Sequence, residues 1–136
     1  MASGMAIARD AEMALQQGRC PVLGRIIGEG RQVTAEAVAE AAFLGDADAI
    51  AIIERAGRYL GMGLAGLVNV LNPDTVVLGG GLTNIGDLYL APARQELAQR
   101  AFPQALADVR VAIGSLGEQA GALGAVALMA ERSAES

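Results

Sequence analysis

The sequence predicts an α/β domain that is mostly helical and carries one short parallel βαβ unit. Three observations carry this expectation. An apolar helical period runs from Ile50 to Leu71. Two short apolar stretches, "TVVLG" from position 75 and "VRVAIG" over 109–114, flank a helical segment. The 136 residues are 53% hydrophobic, enough for one folded domain with its own core.

Taken in order, residues 3–17 place Ala6, Ile7, Met13 and Ala14 near one face and end at Gly18, the pattern of a helix closed by a glycine. "GRCPVLGRIIGEGRQV" breaks its apolar pairs with glycines and Pro21 and reads as a loop with packed contacts. Thr34 then caps a helix with Glu36 in its first turn, running to Gly45. Asp46 caps the next, in which Ile50, Ile53, Ala56, Leu60, Leu64, Leu67 and Leu71 keep helical spacing up to Asn72-Pro73, about seven turns. That helix holds Gly57, Gly61, Gly63 and Gly66, each costing up to about 1 kcal/mol against alanine in an exposed helix interior. Something must therefore approach it closely.

A strand follows over 75–79, then a helix starting at Pro92 and reaching about Arg100 with Asp87 just upstream, then the strand at 109–114. Strand, helix, strand implies parallel pairing with a right-handed crossover. A final helix over roughly 119–132 carries Gly121 and Gly124. Two strands are few for a parallel sheet, which is normally buried on both faces, so the sheet either pairs with another copy or belongs to something larger.

Composition removes several functions. The net charge is −5, there is no lysine, the arginines are scattered and aromatics are 3% with no tryptophan, against a nucleic-acid surface for this segment. Cys20 is the single cysteine and histidine is absent, which excludes an internal disulfide, Cys/His zinc sites and histidine acid/base chemistry. The N-terminus lacks a signal-peptide pattern, and neither apolar stretch, "YLGMGLAGLVNVL" or "VAIGSLGEQAGALGAVALMA", reads as membrane-spanning, so a cytoplasmic protein without membrane contact is expected.

"GMGLAG" at 61–66 matches a dinucleotide-binding pattern in letters, but that motif must follow a strand and open a helix, and here the helical period runs through it. Close helix packing is the better reading. Gly79-Gly80-Gly81 has the better context, leaving a strand and preceding Thr83, Asn84 and Gly86. Residues without Cβ let a ligand approach the backbone N–H groups; equally, they form a permissive turn, and without lysine no Walker-type loop exists. Cys20 reads as a small hydrophobe, and Asp46 with Asp48 as a helix N-terminus and not a catalytic or metal-binding pair. Glu118 reads as a first-turn acid, and Arg9, Arg55, Arg58 and Arg132 as solvated faces. No base, nucleophile and electrostatic stabiliser come together into a complete active site.

The order of segments resembles the C-terminal part of ROK family proteins, bacterial glucokinase-like sugar kinases and sugar-responsive repressors. It is carried by "SGMAIARDAEMAL", by the run from "VTAEAVAEAAFLG" through "AGRYLGMGLAGLVNVLNPDTVVLGGG" to "APARQEL", and by "VRVAIGSLGEQAGALGAVALM". The resemblance implies part of an actin-like ATPase (ribonuclease H-like) fold, in which two lobes close on ATP and sugar. The stretch like "VVLGGG" is then the adenosine motif, making Gly79, Gly80, Gly81 and Leu82 the nucleotide-contact candidates, and "AGALGAVA" resembles the helix near the interdomain hinge. Such kinases hold Mg-ATP while a carboxylate takes the proton of the attacking sugar hydroxyl.

The phosphate loop, the catalytic Asp and the His- and Cys-bearing zinc loop of the family have no counterpart in these residues. The expectation is therefore one C-terminal subdomain over 1–136, a fragment without catalytic residues. It would make at most weak contact with an adenine nucleotide. Hexose, magnesium and any zinc would belong to the intact parent and zinc would not bind this chain; a homo-oligomer is expected. The alternatives are the same segment of a sugar-sensing repressor, or a dimerisation element.

Overall fold

The computed structural model describes residues 3–28, 32–73, 75–79, 85–113 and 127–131. These form helices α1 (Ser3–Gln16), α2 (Pro21–Ile27), α3 (Ala35–Phe43), α4 (Ala47–Leu71), α5 (Asp87–Arg100) and α6 (Pro103–Asp108), with strands β1 (Thr75–Gly79), β2 (Arg110–Ile113) and β3 (Ala127–Glu131).

The expected caps are in place. Gly18, at φ 79°, closes α1. Thr34 Oγ1 accepts from Ala37 N at 3.1 Å to start α3, and Asp46 Oδ1 accepts from the N–H groups of Asp48 and Ala49 to start α4. The 25 residues of α4 make it the spine, about 37 Å long at 1.5 Å per residue. Helices α1 and α3 pack on it, α2 packs on α3, and its most extensive interface is with α5. Ile7, Leu23, Val38, Ile53, Leu64, Val68, Val76 and Tyr89 are the large buried side chains of the resulting core.

Asn72 ends α4 in the left-handed region (φ 47°), and the chain turns back into β1. β1 pairs in parallel with β2, from Thr75 opposite Arg110 to Leu78 opposite Ile113, as the βαβ reading requires. β3 lies antiparallel on the other side of β1, from Thr75 opposite Glu131 to Gly79 opposite Ala127, so the strand order is β2-β1-β3.

Four sequence expectations are corrected. The presumed loop at 18–33 contains α2, which has Pro21 at its first turn, where a missing N–H costs nothing, and borrows its cap from a distant residue. Helix α5 begins at Asp87 and not at Pro92; Gly86 (φ 81°) turns the chain into it, and Pro92 sits inside, forgoing the single bond its N–H would have made. A short helix, α6, precedes β2. Finally, 127–131 of the expected last helix is a strand: these residues answer backbone groups along one edge of β1, and among the described residues the sheet has three strands instead of two. Residues 119–126 and 132 of that expected helix lie outside the described residues.

The four glycines of α4 divide. A Cβ at Gly57 would fall on the carbonyl oxygen of Tyr89 and lie 3.3 Å from Pro92 Cβ; one at Gly61 would fall on the carbonyl oxygen of Ala93 and lie 2.7 Å from Glu96 Cβ. These are the close approaches the sequence demanded, and their order shows that α4 and α5 run side by side in the same direction. Gly63 and Gly66 have nothing within 4 Å of a Cβ, so the demand does not hold for them among the described residues.

Candidate functional site

The candidate nucleotide contacts begin where β1 ends. Gly79 is its last residue, opposite Ala127 of β3, and its neighbour Leu78 is opposite Ile113, the last residue of β2. The carboxyl ends of the two parallel strands thus share one edge of the sheet, the edge outside which open α/β sheets take their ligands. Of the four candidates only Gly79 is described; Gly80, Gly81 and Leu82 lie outside the described residues.

Helix α5 follows β1 in the chain, after residues 80–84, which lie outside the described residues. The Gly86 carbonyl accepts from Tyr89 N and Leu90 N at 3.1 and 2.9 Å. Asp87, in the first turn, lies 3.3 Å from Arg94, an exposed pair that adds little to stability. Two features hold α5 against α4: the contacts at Gly57 and Gly61, and Asn69, whose amide donates to the Arg100 carbonyl at 3.2 Å and accepts from Phe102 N at 2.8 Å. Such a sheet edge offers backbone hydrogen bonds and close approach.

A second cluster is built from the first three helices. Asp46 is 2% exposed. Its Oδ1 caps α4, and its Oδ2 accepts from Val22 N and Leu23 N, both at 3.1 Å, capping α2 as well. Asp48 Oδ2 accepts from Cys20 N at 3.0 Å. Cys20 is buried and held in the left-handed region (φ 59°), so its backbone N–H meets Asp48 while Pro21 enters α2. One carboxylate serves the N-termini of two helices, where negative charge is favoured.

Donor atoms of Cys20, Asp46 and Asp48 lie within 4.8 Å of one another, the spacing of a metal site. The chemistry does not follow. Both Asp46 oxygens are already occupied by two N–H groups each. Burial first, then the charges of Asp46 and Asp48, push the Cys20 thiol up to about 11 against the lowering effect of Arg19, whereas a metal-binding cysteine must give up its proton. The sequence reading of this pair as a helix N-terminus is correct for α4. It missed α2, for which Pro21, a residue favoured in the first turn of a helix, was the available signal.

An open groove of about 480 Å³ lies near the far end of α4, lined by Asn69, Asn72, Phe102, Gln104, Ala105 and Ala107. Asn69 is committed there to the backbone of α5 and Phe102. Among the described residues no helix is long and apolar enough to cross a membrane.

Residues 1–132 match the family model described as "ROK family". The glucokinase of Halalkalibacterium halodurans is 33% identical over 124 residues, covering 91% of this chain and 38% of that protein. A solved ROK family glucokinase from Streptomyces griseus, in complex with glucose and AMPPNP, superimposes with a TM-score of 0.70 at 28% identity, over 90% of this chain and 41% of that one. A solved ROK family transcriptional regulator, a homolog of the E. coli MLC protein, also gives 0.70, at 25% identity, over 86% of this chain and 28% of its own. The chain spans about two fifths of the length of the glucokinases it matches.

Proposed function

Because the chain belongs to the ROK family, we propose that it is the C-terminal, adenosine-side part of an ATP-dependent hexose kinase with an actin-like fold. The observation that carries this reading is the position of Gly79, which ends β1 at the carboxyl edge of the parallel strands, with Gly80, Gly81 and Leu82 following it in the sequence. Gly79, Gly80, Gly81 and Leu82 would then lie along the adenosine moiety, their backbone N–H groups and the missing side chains of the three glycines providing close contact. The likeness to a glucokinase that holds glucose and AMPPNP supports the same assignment.

The catalytic base, the sugar site and the groups that hold magnesium and the γ-phosphate would be supplied by the portion of the fold that the relatives have and these residues lack. The chain by itself would bind adenine nucleotide weakly and transfer no phosphoryl group. Zinc has no thiolate or imidazole set here to hold it. A cytoplasmic location accords with this role.

The likeness to a ROK transcriptional regulator favours a second reading, in which the same segment belongs to a sugar-sensing repressor. Titration of the purified chain with Mg-ATP, followed by amide NMR, tests the nucleotide role of this segment. The kinase reading expects progressive shifts confined to Gly79–Gly81 and the start of α5. Amides that stay in place at millimolar nucleotide would remove the nucleotide role from this segment.

A further inference from the structure

We draw no further inference here: the strongest candidate, the exposed face of α4 formed by Tyr59, Gly63, Gly66 and Val70, is a stripe of small residues between two exposed apolar side chains, and nothing in the structure shows what covers it.

Discussion

The two halves of α4 are held by opposite devices. At its N-terminal end a buried carboxylate, Asp46, takes N–H groups from two helices at once. Along its middle, the seam with α5 depends on side chains that are missing, at Gly57 and Gly61. The first device fails when atoms are removed, because buried donors lose their acceptor; the second fails when a methyl group is added, because a backbone stands in its place. Sequence-neighbouring glycines at 63 and 66 belong to neither.

The largest effect is expected at Asp46. Replacing it by alanine orphans four backbone N–H groups, two of them fully buried, at about 1–3 kcal/mol for each buried donor left without an acceptor. Asp46→Ala should therefore cost about 3–5 kcal/mol in urea unfolding followed by circular dichroism. Asp46→Asn, which keeps one oxygen, should fall in between. A loss below about 1 kcal/mol for the alanine variant would show that the carboxylate is not what ties α2 to α4.

The seam comes next. Gly61→Ala places its methyl on the α5 backbone, with Ala93 Cα at 2.9 Å, so α5 must shift. Overpacking of this kind costs about 1–3 kcal/mol or more, and the better helix propensity of alanine returns up to about 1. A net loss near 2 kcal/mol is expected. Gly57→Ala meets the Tyr89 carbonyl and should behave alike.

Gly63→Ala and Gly66→Ala meet nothing among the described residues and should stabilise the chain by about 0.5–1 kcal/mol each. Thermal unfolding of the four variants thus predicts a change of sign within one helix. Four losses would mean that the outer face of α4 is also in close contact; four gains would mean that the α4–α5 seam is looser than described.

This division marks how far the sequence could be read. Caps and periods are local, so Thr34, Asp46 and the run to Leu71 announced α3 and α4 with their starts in place. Strand β1 was equally plain, since a short apolar run closed by Gly79 needs no distant partner to be recognised, while Gly80, Gly81 and Leu82 lie outside the described residues. Four glycines in a helix signal a close approach but not which of them makes it, because that depends on where α5 lies. Helix α2 escaped because its cap comes from Asp46, more than twenty positions away. "ALMAE" escaped for another reason: alanine, leucine, methionine and glutamate are good helix formers, and only pairing with β1 makes the segment a strand.

At neutral pH the smallest electrostatic effect is the one on Cys20, and its growth with pH tests the Asp46 end. The folded Cys20 thiol is raised from 9.0 to about 11, so at pH 8 the folded chain presents roughly a hundredfold less thiolate than an ordinary cysteine. Alkylation by iodoacetamide at pH 8 should be slow in the native chain and become fast in urea. The same shift has a stability consequence with a definite sign. Below about pH 9 the thiol is protonated in both states and nothing changes; between about 9 and 11 the unfolded chain loses its proton first, so stability falls as pH rises through that window. Cys20→Ala has no proton to lose and removes this contribution. The urea midpoint of the parent chain should drop relative to that variant between pH 9 and 11, and not between pH 7 and 8.5. Parallel pH curves for the two chains would mean that neither burial nor the flanking carboxylates act on the thiol, leaving Asp46 and Asp48 with a purely local capping role.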